Sequence, residues 1–448
     1  MSLAPASSWC RPHVARRPTS RPRIEKPSVE RKHSSKGATS PDTLSGSAAH
    51  VEGDVVSTPS TPAVLIVGAG PAGLLLSHLL AARDIPSIVV ESRTREAVEQ
   101  TIRAGILEQG TVDLLVSSGA SSRVLVDGHR HDGIELRTGD AGHRIDFPAL
   151  TGRSVWLYPQ HEVLRDLIAT RVAAGQDLRF ETTVTDVDAS DPQHPVVLLT
   201  GPDGAVVEVR PRVLVGADGS RSRVREAVTG AASNGYFREY PFAWFGILCE
   251  APPSAPELIY SSSDDGFALI SQRSDTVQRM YFQCDPDIDP ASLGEEQIWD
   301  ELQRRVPGTT LRTGPIFQRD VLRFRSFVAS SLRRGRIALA GDAAHTVPPT
   351  GAKGLNLAVA DVVLLDAAIA AALAGDESRL EAYEEAALRR IWKAQHFSWW
   401  MTSLLHRTPD ATAFDRLRQR GELQSIVESE AGCRYLAEAY TGWRFATE

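Results

Sequence analysis

The stretch Ala63-Val-Leu-Ile-Val-Gly68-Ala-Gly70-Pro-Ala-Gly73-Leu-Leu-Leu76 leaves the chain little freedom in how it folds. A short apolar run breaks into three glycines spaced GxGxxG, and an apolar helix-forming segment follows at once. The chain then returns as Ser87-Ile-Val-Val-Glu91, a second apolar run that closes on an acid. Each part has a physical task. Gly68 permits the tight turn, Gly70 lets backbone approach a pyrophosphate, and Gly73 lets helix and strand pack closely. The helix N-terminus attracts phosphate, and Glu91 is placed to take ribose hydroxyls. A strand–turn–helix–strand unit with a dinucleotide site is predicted. A merely glycine-rich turn would not explain Glu91.

Two later stretches repeat the pattern of an apolar strand ending in a glycine–acid turn. One is Val213-Leu-Val-Gly216-Ala-Asp218-Gly219-Ser-Arg221-Ser-Arg223, and the other is Arg336-Ile-Ala-Leu-Ala-Gly341-Asp342-Ala-Ala-His345. With GxGxxG before them, the central DG and the late GD make the chain similar to the FAD-dependent aromatic hydroxylases, the single-component flavoprotein monooxygenases. Four further segments are similar to the branch of that family acting on 4-hydroxybenzoate. They begin Arg103-Ala-Gly-Ile-Leu-Glu108, Gly266-Phe-Ala-Leu-Ile-Ser271-Gln-Arg273, Pro348-Pro349-Thr-Gly-Ala-Lys353-Gly-Leu355-Asn356 and Arg390-Ile-Trp-Lys-Ala-Gln. The likeness covers Ala63 to the C-terminus.

The resemblance implies bound FAD, with NADH or NADPH as donor and O2 as co-substrate. It implies hydroxylation of 4-hydroxybenzoate to 3,4-dihydroxybenzoate through a flavin C4a-hydroperoxide. Asp342 would hold the ribityl chain, with Asp218 and Gly219 near both FAD and the donor. Arg103, Gln160 and Arg279 correspond to FAD contacts, as do Lys353, Leu355 and Asn356 at the start of a helix aimed at the flavin ring. Pro349 would position substrate against flavin. Arg221, Arg225 and Arg325 match positions associated with nicotinamide docking. Arg93 and Arg95 could receive a 2′-phosphate and Glu96 and Glu99 would repel one; Thr101 stands where NADPH-using relatives carry arginine, so the balance leans to NADH or dual use.

The residues themselves support a phenolic-acid pocket. A planar guanidinium grips a carboxylate through paired charge-assisted hydrogen bonds. Arg273 sits where the resemblance puts that clamp, with Ser271 and Tyr281 adding hydroxyls. Ser271 and Arg273, two apart, share one side of an extended strand. At the other end the phenol must lose its proton, and a phenol with a pKa of about 10 keeps it at neutral pH. The resemblance gives the first contact to Tyr260, the second to Tyr440 and the exit to His131, the one member whose ordinary pKa lies near neutrality. Trp244, Leu258 and Leu269 would wall the pocket against water.

The expected fold is α/β (α+β): a Rossmann-like FAD-binding domain over 61–235 and 330–385, with an inserted β-sheet substrate domain over 236–329 and C-terminal helices over 386–448. Trp392, Trp399 and Trp400 on that last region read as packing or interface residues of a homodimer. Residues 1–60, rich in Ser, Pro and Arg, read as a disordered extension. A net charge of −7 and a pI near 6.0 offer no basic surface for nucleic acid. Cys10, Cys249, Cys284 and Cys433 show no metal-ligand spacing, so no metal site is expected and a reducing cytoplasm suits them. No segment reads as a membrane span, because the most apolar, Leu355 to Ala374, is interrupted by Asn356, Asp361 and Asp366. Three other readings stay open: a hydroxylase of 3-hydroxybenzoate or 4-aminobenzoate, a flavin-dependent dehydrogenase without oxygen insertion, and a redox-sensing flavin module.

Overall fold

Val64–Val67, Ser87–Val90 and Val213–Gly216 are buried at every position, as strands covered on both faces must be. The computed structural model describes residues 61–101, 103 and 105–445; the extension expected at 1–60 and Cys10 lie outside the described residues. The three strands pair in parallel at the centre of a six-stranded sheet, with Val64 opposite both Val213 and Ser87. Ile337–Leu339 continues the parallel order on one side and Leu178–Arg179 on the other. The helices Pro71–Ala81, Gly354–Leu373 and Ser378–Leu405 share one core with this sheet.

A second sheet of eight strands runs His345–Thr346, Ile316–Ala329, Gly235–Glu250, Val277–Cys284, Gly266–Gln272, Leu258–Ser263, Gly133–Thr138, Ala141–Asp146. Its pairings are antiparallel except the one between Leu258–Ser263 and Gly133–Thr138. The strands Gly133–Thr138 and Ala141–Asp146 come from the stretch assigned to the FAD-binding part. Their alternation marks them as strands, but only a distant partner, Leu258–Ser263, decides which sheet they join.

Period-two alternation sorts this sheet into two functional faces. Trp244, Leu258, Tyr260, Phe267, Leu269 and Tyr281 pack into one cluster with the C-terminal helices. Their neighbours Phe245, Ile259, Ala268, Ile270, Met280 and Phe282 pack on the opposite face with Ile298 and Leu302 of the helix Glu295–Arg305. All the pocket residues expected on these strands therefore emerge on one side.

The helix Gly354–Leu373 corrects one expectation. At 20 residues, with an 18-residue window of mean hydropathy 1.9, it is long and apolar enough to cross a membrane by those two measures. Two-thirds of its most apolar window is buried in the core. The residues that seemed to interrupt it are bonded inside the protein: Asp361 to His345 and the Gly341 amide, Asp366 to Arg83.

Candidate active site

The three glycines of the first turn serve different needs. Gly68 has φ +107°, and a Cβ there would lie 2.3 Å from the Ala217 carbonyl oxygen. A Cβ on Gly73 would lie 2.0 Å from the Gly68 oxygen, so helix and turn meet with no room for a methyl. Gly70 differs, since its Cβ would meet nothing nearer than the Ala217 oxygen at 4.0 Å. The protein itself does not demand glycine at 70; an approaching pyrophosphate would. The helix behind it has no side-chain cap and no acid in its first turn, which leaves its positive end for an anion. Glu91 is buried, one oxygen accepting from the Ala69 amide at 3.0 Å and the other from the Arg93 amide and Nε at 3.1 and 2.8 Å. It braces the turn as well as ending the strand.

Asp342 and Arg103, both expected at FAD, face each other at 3.8 Å. In the DG turn, one Asp218 oxygen accepts the Arg223 amide at 2.7 Å while Oδ1 is buried without a partner, and burial raises its pKa. Gly219 adopts φ +76°. Arg221 and Arg325 are exposed, but Arg225 is not. Its guanidinium donates to the carbonyls of Ser220, Ala232 and Ala343 and lies over Phe327, so it staples the DG turn to the GD turn instead of meeting the donor.

Pro349 opens a short turn to Gly351 whose carbonyl end is closed by the Ala352 amide at 2.9 Å. The helix Gly354–Leu373 follows with no side-chain cap and no acid in its first turn, again an open positive end, with Leu355 partly buried there. Asn356 spends its whole hydrogen-bonding capacity locally. Its oxygen accepts from the Glu108 amide and the Thr111 hydroxyl, and its nitrogen donates to the Ile106 and Ala352 carbonyls. Lys353 is buried against Glu108 at 2.7 Å and the Tyr440 carbonyl at 3.0 Å, and burial lowers its pKa against the pull of that carboxylate. Glu108, which lies in the first of the family-like segments but carries no expected role there, is thus the counter-charge of Lys353.

On the pocket face, strand register sets Tyr260 opposite Leu269, Leu269 opposite Tyr281, and Ser271 opposite Arg279. Ser271 lies about 7 Å along its strand from Leu269. Arg273 follows, with Nε buried and unpartnered beside the Tyr281 hydroxyl. Its charge also lowers the pKa of His161, adding to burial, which puts it close to the helix that begins at Gln160. Ser271 donates to the Arg279 carbonyl at 2.8 Å, so its hydroxyl must turn before it can serve a carboxylate. Arg279 is held over the Tyr281 ring at 4.9 Å and donates to Asp320 at 2.6 Å, while Nε and Nη1 are buried without partners. Asp320 had no signal in the sequence; only the pairing of both strands with Gly235–Glu250 between them brings it to Arg279.

Tyr260 and Tyr440, 180 residues apart, share a hydrogen bond of 2.8 Å, and both are buried. Burial raises both phenols, so both keep their protons at neutral pH. Phe147 stacks on Tyr440 at 5.2 Å. His131 is buried with both ring nitrogens unpartnered, and desolvation pushes its pKa down to about 4. That differs from the near-neutral titration expected of it. No protein hydrogen bond links it to Tyr440 among the described residues. It sits between Arg130 and Asp132, which line a cleft with Glu257 and Arg144.

Trp244 lies 4.8 Å from the Tyr281 ring and 5.2 Å from Phe267. Trp392 and Trp399 are partly exposed, and Trp400 bonds Glu422. Open approach at Gly70, two uncapped helix ends and the unpartnered nitrogens of Arg279 together fit FAD.

Residues 61–398 match the family model described as FAD binding domain. The p-hydroxybenzoate hydroxylase of Acinetobacter baylyi is 41% identical over 85% of this chain and 95% of its own. The dialkyldecalin synthase of Streptomyces rugosporus is 31% identical over 72% of this chain and 68% of its own. The crystal structure of p-nitrophenol 4-monooxygenase from Pseudomonas putida superposes with a TM-score of 0.73, at 21% identity, over 86% of this chain and all of that one. That last likeness establishes the fold.

Proposed function

The chain belongs to the FAD-dependent aromatic hydroxylases, built on the FAD binding domain, and from that premise we propose that it hydroxylates 4-hydroxybenzoate at the carbon ortho to the phenol, giving 3,4-dihydroxybenzoate. One observation carries the reading. A single sheet face holds a buried, unpartnered guanidinium nitrogen on Arg273 at one end and the Tyr260–Tyr440 hydroxyl pair at the other.

FAD, when bound, supplies the redox chemistry that side chains lack, taking hydride from reduced nicotinamide and activating O2 for transfer to the ring. The chain's own work is to bind, orient and move a proton. Arg273 takes the carboxylate, aided by the Tyr281 hydroxyl beside it. A carboxylate there satisfies a donor that is otherwise buried at a cost. The para hydroxyl then meets Tyr260, which hands its proton to Tyr440 while accepting the substrate's. His131 is the exit: its neutral ring accepts at one nitrogen and releases from the other toward the Glu257 cleft. Removing that proton makes the ring electron-rich at the carbon to be oxidised. Trp244, Leu258 and Leu269 exclude water. Asp342 and Arg103 are assigned to the ribityl and phosphate side, Pro349 and the Lys353–Asn356 segment to the flavin ring.

The donor is assigned as NADH, with dual use as the alternative. Arg93 bonds Glu91 and Thr101 and Arg95 bonds Glu99, so a 2′-phosphate would have to compete with these contacts. A homodimer is assigned to the aromatic surface where Tyr236 meets Trp392 edge-on at 5.5 Å. The free thiols Cys249, Cys284 and Cys433 suit a reducing cytoplasm.

The test is donor oxidation by the FAD-loaded protein with 4-hydroxybenzoate, 3-hydroxybenzoate and 4-aminobenzoate in turn. 4-Hydroxybenzoate should stimulate most and yield a catechol acid. Stimulation by the amine alone would reassign the substrate, and donor oxidation with no oxygenated product would indicate a dehydrogenase.

A further inference from the structure

His406 caps the C-terminal end of the long helix Ser378–Leu405, and it belongs to none of the motifs that mark the site. It is buried, and its Nε2 lies 2.6 Å from the indole Nε1 of Trp244. An indole N–H can only donate, so Nε2 is bare and the proton sits on Nδ1, which donates to the Thr402 carbonyl at 2.9 Å. The ring is stacked on Phe242 at 4.8 Å and lies 4.2 Å from Phe267. Burial pushes its pKa down to about 3, so the acceptor stays available across the working pH range. One turn back, the hydroxyls of Thr402 and Thr350 share a hydrogen bond of 2.9 Å. Thr350 follows Pro349 directly, and Gly351 is pressed so closely on the helix that a Cβ there would lie 2.9 Å from the Ser398 hydroxyl.

The last turn of one helix therefore touches two walls of the pocket that come from different parts of the chain. We propose that His406 is a positioning residue which, through Trp244 on one side and Thr402–Thr350 on the other, locks the indole wall to the Pro349 turn and so holds the aromatic acid in register with the flavin. The inference rests on the pocket reading given above. A loosened indole would not stop donor oxidation; it would let water in and let the acid shift, so reducing equivalents would end in hydrogen peroxide instead of product.

The experiment compares His406→Phe, His406→Gln, Trp244→Phe and the double variant His406→Phe/Trp244→Phe as FAD-loaded enzymes. The phenylalanine keeps the flat ring and removes the acceptor. It should raise KM for 4-hydroxybenzoate about tenfold, the loss of one buried hydrogen bond, and raise the peroxide formed per donor oxidised. FAD affinity should not change. Glutamine, whose amide oxygen reaches the place of Nε2, should restore coupling in part. Trp244→Phe should uncouple too, and adding His406→Phe to it should cost nothing further. Full coupling in His406→Phe or in Trp244→Phe, additive losses in the double variant, or no rescue by glutamine would overturn the proposal. Should the unaltered enzyme show no response to 4-hydroxybenzoate, the substrate reading fails. The indole fluorescence of His406→Phe then decides this inference by itself, a spectrum identical to the unaltered protein's counting against it.

Discussion

The nucleotide side and the substrate side of this molecule treat their buried polar groups in opposite ways. On the nucleotide side most satisfy one another, Asp218 Oδ1 and the FAD-assigned Arg279 Nε and Nη1 excepted: Glu91 closes on the turn and Arg93, Asn356 uses all its bonds, and Arg225 ties three carbonyls together. On the substrate side the important ones, Arg273 Nε and both nitrogens of His131, are left without protein partners. A buried donor without a partner costs about 1–3 kcal/mol. The first region is mostly a self-bonded frame with a few groups left for the cofactor, and the second is a surface completed by what it binds. Perturbing the frame should therefore act on stability, and perturbing the open face should act on turnover.

The largest effect should come from the open face. Tyr260→Phe breaks the proton path at its first step and should cut product formation on the order of 10²-fold, with FAD still bound. Product analysis beside flavin absorbance checks both halves; an unchanged product rate would remove Tyr260 from the relay. Arg273→Gln should weaken 4-hydroxybenzoate binding by roughly 10–100-fold, the worth of a charged hydrogen bond, and Arg273→Lys should not rescue it because the planar fork is lost. Substrate titration of the flavin spectrum reads this directly.

His131 joins the two regions, since its open state carries a stability cost. The folded protein keeps the ring neutral down to about pH 4, whereas the unfolded chain takes a proton near 6.5. Stability is therefore lost as pH falls from 6.5 to 4, by up to about 3 kcal/mol, and no further below. In urea denaturation at pH 7 and pH 4.5, His131→Asn should lose less stability between the two than the unaltered protein. An equal loss would contradict the buried neutral ring.

The glycine turn divides the frame in the same way. Gly73→Ala forces a contact at 2.0 Å and should destabilise the apoprotein by about 2 kcal/mol. Gly70→Ala should leave the apoprotein melting temperature unchanged and weaken FAD binding. Equal melting losses in both would refute the division. The smallest effect is expected at Thr101→Arg, which should shift donor preference toward NADPH by a few-fold, read as the ratio of kcat/KM with the two donors.

The same contrast explains what could be read from the residues alone. GxGxxG and Glu91 are legible because local sterics and a short apolar run dictate them. The alternation along Gly235–Glu250 and Gly266–Gln272 is legible, and with it the shared face of Ser271 and Arg273. The meeting of Tyr260 with Tyr440 is not, because no spacing rule spans 180 residues; only family likeness anticipated it. Asp320 and His406 sent no signal, and Glu108, though within a family-like segment, carried no expected role, since each matters through a partner on a distant strand or helix. Arg225 misled for a related reason: its position suggests a surface for the donor, while three carbonyls that only the folded turns bring together take its guanidinium inside.

The most direct measurement is the ultraviolet difference spectrum of enzyme-bound 4-hydroxybenzoate followed through a pH titration, with Tyr260→Phe alongside. Phenolate absorbance should appear at lower pH on the unaltered enzyme than in free solution, and that shift should vanish in the variant. Bound substrate ionising no earlier than free substrate, or a shift that survives without the tyrosine hydroxyl, would contradict the account.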